Sequence, residues 1–205
     1  ELVQRDSRTG IQRVVRSVLK EWLKNPPDGF AVEPVYASVE KPYHYARQFA
    51  AQFMGKSTKD QVDEPITDMP GDIFFGLDLN HHEPRVHQAF LQSMYLAGVD
   101  VRFMVYDLLP VQFPQFWEPQ HQVHLVVAEW LTVVAKLGGA VCISKAVADD
   151  FAAWMQKSNL VRSRPFKLDW FHLGADTDNS VPSKGLPDDA NAVLMAIQQR
   201  PAFLM

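Results

Sequence analysis

Cysteine is nearly absent from this chain of 205 residues, which contains only Cys142. A single cysteine cannot form an internal disulfide, so a disulfide framework is excluded and a reducing, cytoplasmic location is expected. Cys142 lies in the apolar run at residues 140–143. A thiol in such a run is typically a small core side chain, so we do not expect it to be a nucleophile.

Blocks of positive charge and long uninterrupted apolar runs are also absent. Lysine and arginine total 20 against 24 acidic residues, for a net charge of −4, so no nucleic-acid partner is expected. The longest apolar region, residues 125–143, is broken by Glu129, Lys136 and two glycines, which predicts a helix and then a strand rather than a bilayer crossing. No signal peptide is recognisable. Residues 1–24 carry six cations against three acidic residues, and this basic end is compatible with weak, salt-sensitive contact with an anionic membrane surface. The alternative is a solvated helix face.

The glycine-rich fingerprints of dinucleotide-binding turns and P-loops are missing as well. A single glycine, Gly10, follows Thr9 where a polar turn enters an amphipathic helix. A helix N-terminus offers unpaired N–H groups and the positive end of the helix dipole, and glycine allows close approach of an anion. Thr9, Gly10 and Arg13 therefore predict an anion-binding turn. The alternative is a capped helix with a solvated basic face.

Apolar strands alternate with amphipathic helices along the chain. Buried strands are predicted at residues 73–77, 101–106, 141–143 and 167–171, and a further strand at 30–38. Helices are predicted at 43–54, from Pro84 to Gly98 and at 188–199, with a polar loop at 55–70. The helix from Pro84 to Gly98 is expected to face inward with Val86, Phe90, Met94 and Ala97. The helix at 188–199 is expected to face inward with Val193, Leu194 and Ile197. This order predicts an α/β, Rossmann-like parallel sheet with helices on both faces.

In such a sheet, ligands bind beside the carboxyl ends of the strands, so functional residues lie in the loops that leave those ends. Asp78 follows one predicted strand, and Tyr106 and Asp107 stand at the end of the next. We therefore expect Asp78, Tyr106 and Asp107 to face a ligand, with Gly10, Arg13 and Asp107 converging on one cleft. The alternative role for Asp107 is to cap the turn that follows it.

Three histidines, His81, His82 and His87, raise the question of a metal site. The H-E-x-x-H spacing is missing, His87 would lie a turn into the next helix, and adjacent histidines in a loop are mostly solvated. No metal site is predicted.

Five motifs carry a resemblance to a known family, at residues 6–16, 71–78, 105–110 followed by Pro114, 141–145 and 171–176. In order and spacing they resemble the amino-terminal half of the family 4 glycosyltransferases. The similar members are bacterial mannosyl- and rhamnosyl-type transferases that build O-antigen and capsule.

The resemblance implies the GT-B architecture of two Rossmann-like domains and a retaining, metal-free transfer without a cofactor. The donor would be a nucleotide sugar, a GDP-sugar, and the acceptor a glycan or lipid-linked saccharide. Residues 1–200 would form the acceptor-side domain, and residues 201–205 would begin the linker to a donor domain. That domain's paired-glutamate motif is not in this chain, so this chain alone is expected to have little or no turnover.

The resemblance also assigns roles to individual residues. The turn at Thr9 and Gly10 would lie beside the donor diphosphate or the attacked sugar. Asp107 would stand near the reaction centre, where relatives have a His-Asp or His-Glu pair and this chain has Tyr106 in place of the histidine. Two other hypotheses are a non-catalytic α/β module that binds a phosphorylated metabolite or a partner protein, and a purely structural domain.

Overall fold

Four parallel strands form the main sheet, in the order β3 (Ile73–Gly76), β4 (Asp100–Val105), β5 (Gly139–Cys142) and β6 (Lys167–Trp170). The computed structural model describes residues 2–3, 9–162, 164–174 and 187–199. The register aligns Gly76 with Phe103, and Val105 with Cys142, so the carboxyl ends of neighbouring strands lie side by side. Helices pack against this sheet, which confirms the predicted α/β, Rossmann-like fold. The prediction that the strand at residues 167–171 is buried is wrong: Trp170 and Phe171 are 43 and 37% exposed, because β6 lies at the end of the strand order among the described residues.

The helices follow the strands in the order that the sequence predicts. Their bounds are α1 (Gly10–Lys24), α2 (Arg47–Phe53), α3 (Glu83–Val86), α4 (Gln88–Ala97), α5 (Leu109–Gln112), α6 (Val123–Ala135), α7 (Lys145–Lys157) and α8 (Ala190–Gln198). Two 3₁₀ turns lie between α5 and α6, at Pro114–Phe116 and Pro119–His121. Among the described residues, no helix is long and apolar enough to cross a membrane.

The core lies between the sheet and the helices packed on it. It is built around fully buried side chains from α4, β4, α6 and α7, which are Leu91, Met104, Trp130, Leu131 and Phe151. These positions are apolar because burial of such side chains contributes most of the driving force for folding, at about 1.5–3 kcal/mol each. Trp130 and Leu131 lie on the apolar face of α6, with Val127 and Val134 of the same helix.

The strand predicted at residues 30–38 is mostly wrong. Only β1 (Val35–Tyr36) is extended and paired, antiparallel to β2 (His44–Tyr45), in a separate two-stranded sheet. Pro34 has no N–H to donate to a ladder, which limits the strand on its amino-terminal side. The helix predicted at residues 43–54 is consequently shorter, because its first residues pair in β2.

The inner face predicted after Pro84 is partly wrong, because the helix breaks at His87. The His87 Nε2–H donates to the backbone oxygen of Ser38 at 2.7 Å, and the chain resumes as α4 with a different face inward. Val86 is 51% exposed and Ala97 is exposed as well, so their predicted inward position is wrong, whereas Met94 is buried as predicted, together with Leu91 and Tyr95. The helix ends at Gly98, whose φ of 101° is one that glycine adopts without strain.

The chain divides into two compact units, Glu1–Leu173 and Gly174–Met205. In the second unit, Val193, Leu194 and Ile197 of α8 are 47, 51 and 45% exposed, so their predicted inward position is wrong. The linker predicted at residues 201–205 and parts of two motifs, at 6–8 and 175–176, lie outside the described residues.

Candidate functional site at the carboxyl ends of the strands

The ends of β3 and β4 are joined by Tyr106. Its side chain is 3% exposed, and its hydroxyl donates to the backbone oxygen of Leu77 at 2.9 Å. Burial raises the pKa of Tyr106, and the Asp78 carboxylate acts in the same direction, so the phenol stays protonated and remains a donor. Tyr106 therefore holds two strand ends together, and its contact with a ligand stays a prediction.

Asp78 connects β3 to the start of α1. One carboxylate oxygen accepts from Gln12 Nε2 at 2.6 Å, and the other accepts from the Leu2 N–H at 3.1 Å. Gln12 lies in the first turn of α1 and is only 2% exposed. These bonds place the N-terminus of α1 at the carboxyl end of β3, the edge at which the sequence predicts the site.

The predicted anion-binding turn has an open approach. Thr9 is the N-cap of α1, and its side-chain oxygen accepts from the Gln12 N–H at 3.3 Å. A Cβ built on Gly10 would meet no atom within 4 Å, so the space above this residue is unfilled by the described part of the chain. Arg13 is exposed on the same helical turn.

Asp107 is half-buried and performs the turn-capping role that was left open for it. Its Oδ1 accepts from the Leu109 N–H at 3.0 Å. Among the described residues, the second oxygen has no hydrogen-bond partner. Oδ1 is thus hydrogen-bonded within the turn, and the second oxygen can accept a hydrogen bond from a ligand hydroxyl.

His81 lies at the same edge, in the polar stretch at residues 78–82 that follows the predicted strand. Its ring is half-buried and meets the ring of Trp130 edge-on, with 5.1 Å between centroids. Burial lowers the pKa of His81, and His82 and Arg85 act in the same direction, whereas the Asp107 carboxylate opposes them. The only sequence signal was its position just after a buried strand.

Two hydrogen bonds connect these elements: Asp78, just after β3, bonds Gln12 of α1, and Tyr106, just after β4, bonds Leu77 at the end of β3. The convergence of Gly10, Arg13 and Asp107 on a single cleft stays a prediction. In the described part of the chain, no group of three or more histidine, cysteine or acidic side chains is close enough to hold a metal ion.

A cavity adjoins this edge, and a buried cysteine lies at the end of β5. A cavity of about 470 Å³ runs beside β3, lined mainly by apolar side chains of α1 and residues 30–37, with Asp78 on its border. Cys142 is fully buried, and burial raises the pKa of its thiol to about 12. Cys142 is thus a core residue at neutral pH, in agreement with the prediction that it is not a nucleophile.

Comparison with known proteins places the chain beside bacterial mannosyltransferases. Three relatives, each a serotype-specific mannosyltransferase WbdA of Escherichia coli, are 36% identical to it over 208 aligned residues. The alignments cover all of this chain but only 24 or 25% of each relative. No family model matches the chain. No solved structure matches it either. The resemblance to mannosyl-type transferases is confirmed: over its whole length, the chain is similar to about a quarter of a serotype-specific mannosyltransferase.

Proposed function

We propose that this chain is the acceptor-side, Rossmann-like domain of a retaining family 4 glycosyltransferase. It would take part in moving mannose from a GDP-sugar to a glycan or lipid-linked acceptor in surface polysaccharide synthesis. The single observation that carries the proposal is the 36% identity to mannosyltransferases across the entire chain. The second, donor-binding domain is its proposed partner, with residues 201–205 beginning the linker.

The N-terminus of α1 is the proposed site for the donor diphosphate. The N–H groups of Gly10 and Ile11, which have no partner among the described residues, and the helix dipole favour an anion, and Gly10 leaves room for an oxygen to approach the backbone. Arg13, on the same turn, adds a positive charge. Negative charge develops on the diphosphate as it leaves, so groups oriented in advance lower the energy of that transition state.

Asp107 is the proposed catalytic residue. In the transfer, the bond from the anomeric carbon to the diphosphate oxygen breaks and an acceptor oxygen takes its place, while the acceptor proton leaves with the diphosphate. The oxygen of Asp107 that is not bonded to Leu109 would accept a hydrogen bond from a reacting hydroxyl. No metal enters this scheme.

The test uses the longest natural polypeptide that contains these 205 residues, called here the parent polypeptide. With radiolabelled GDP-mannose and a mannose-terminated, lipid-linked acceptor, we expect transfer that persists in the presence of a chelator. UDP-glucose should not substitute as the donor. No transfer from GDP-mannose to any mannosylated acceptor would contradict the proposal.

Gly10→Val tests the anion site within this assay. The new side chain would fill the space through which the donor approaches, so transfer should fall at least about 100-fold with little loss of folding. Ser17→Val, at an exposed position of the same helix, is the matched control. Equal transfer by the two variants would show that the turn at Thr9 and Gly10 only caps α1.

Membrane contact through residues 1–24 is a separate proposal. Each well-placed cation would contribute up to about 1 kcal/mol toward an anionic surface. Flotation with anionic and with neutral vesicles, at low and high salt, measures it. Equal recovery of the chain with both vesicle types would remove this proposal and leave the transferase proposal unaffected.

A further inference from the structure

We propose that His81 is a substrate-binding residue of this site, whose imidazole hydrogen-bonds a hydroxyl of the transferred sugar or the acceptor beside Asp107. The inference rests on the proposed function and adds a residue to it. His81 stands five positions after β3 and Asp107 two positions after β4. The two strands are adjacent and parallel.

The loops that carry these residues are built alike. The loop of His81 leads into α3 and the loop of Asp107 leads into α5, and both short helices pack against α6. Trp130 of α6 is fully buried and contacts the His81 ring edge-on. The ring is thus held by a rigid core residue at the carboxyl edge of the sheet, in the electrostatic field of Asp107.

The hydrogen bonds of His81 are incomplete within the described part of the chain. Neither of its ring nitrogens has a partner there, whereas His44 and His87 each bond a backbone oxygen at 2.7 Å. Solvent reaches these nitrogens, since the fully buried side-chain atoms that lack a partner among the described residues are Gln12 Oε1, Arg85 Nε and Trp130 Nε1. A ligand hydroxyl can take the place of water at such a position. His81 can therefore offer both nitrogens to a bound molecule.

The charge state of His81 selects the kind of ligand. Since burial, His82 and Arg85 all lower its pKa and only Asp107 opposes them, the ring is neutral at neutral pH. A neutral imidazole has one donor and one acceptor, which matches a sugar hydroxyl. It lacks the positive charge that would suit a diphosphate.

The test compares substitutions at two adjacent histidines in the parent polypeptide. His81→Phe keeps a ring against Trp130 but removes the hydrogen bonds, and His81→Gln restores a donor and an acceptor. The same two changes at the exposed His82 are the matched controls. We expect kcat/KM to fall about 10- to 100-fold in His81→Phe, to recover partly in His81→Gln, and to change less than about 2-fold in both controls.

A second readout separates binding from structural support. Donor and acceptor analogues that each lack one hydroxyl should react more slowly than the natural substrates with the unmodified enzyme. For the hydroxyl bound by His81, that penalty should disappear in His81→Phe, because the bond is already lost. Thermal unfolding of each variant shows whether its fold is kept, and His81→Gln provides the comparison if His81→Phe unfolds.

The outcomes distinguish the two proposals. An active unmodified enzyme whose His81 variants match the His82 controls overturns the inference and leaves the proposed function standing. Unchanged penalties for every deoxy analogue in the His81 variants overturn it as well. An inactive unmodified enzyme overturns the proposed function, and the role of His81 falls with it.

Discussion

Replacing Asp107 by asparagine separates the two roles that its two oxygens suggest. Asparagine keeps a carbonyl oxygen that can accept from the Leu109 N–H, the bond that measures 3.0 Å in the structure. It loses the negative charge, and an NH2 group, which is a donor, replaces the second carboxylate oxygen. Asp107→Ala removes both functions.

The expected magnitudes differ between stability and catalysis. Losing a side-chain bond to a turn N–H costs about 1 kcal/mol, so Asp107→Ala should lower the free energy of unfolding by that amount. Asp107→Asn should lower it by less than about 0.5 kcal/mol, since the bond is kept. If the carboxylate contacts reacting groups, kcat should fall about 100-fold or more in both variants.

Initial rates of mannose transfer by the parent polypeptide, over a range of GDP-mannose concentrations, test this prediction. We expect kcat to fall and the donor KM to change little, because the lost interaction acts in the transition state. Urea unfolding of the same preparations measures the stability term. Asp107→Asn with unchanged turnover, alongside a less stable Asp107→Ala, would refute the catalytic assignment and leave Asp107 as a turn cap.

Three further predictions concern stability. A hydrogen bond from Arg102, with a smaller contribution from one by Lys167, lowers the pKa of Asp100 to about 2. The Asp100 carboxylate should therefore stabilise the fold by about 1–2 kcal/mol above about pH 4, after allowance for solvent screening. The gap in unfolding free energy between the unmodified chain and Asp100→Asn should close as the pH falls from about 4 to about 2, and a gap independent of pH would contradict it. Gly139→Ala would bring a methyl group against the backbone oxygen of Lys167, so it should lower the free energy of unfolding by about 1–3 kcal/mol. An unchanged midpoint of urea unfolding would show that β5 and β6 can shift apart enough to accept the methyl group without loss of stability. Tyr106→Phe should lower the free energy of unfolding by about 1 kcal/mol through loss of its bond to the end of β3, and a full retention of stability would show that water replaces that bond.

The sequence predicts the site only in part. Asp107 and Asp78 could be proposed because polar residues that follow buried strands meet at one edge of a parallel sheet. Their partners could not be predicted, since Asp78 bonds Gln12, which lies 66 positions away. A role for His81 could not be predicted, because adjacent histidines in a loop are mostly solvated and the contact of His81 with Trp130 depends on how α6 packs.

The sequence by itself determined the sheet and its direction. Continuous apolar runs separated by helix-length segments are typical of strands buried on both faces, and this pattern is local, so it can be read without the fold. The tertiary structure alone decided the inner face of the helix after Pro84, where the helix breaks at His87 and the His87 side chain bonds Ser38, 49 positions earlier. It alone decided the role of the Tyr106 hydroxyl too, which bonds Leu77 across the sheet. Residue spacing encodes periodicity along an element, but a hydrogen bond between distant residues forms only once packing brings them together.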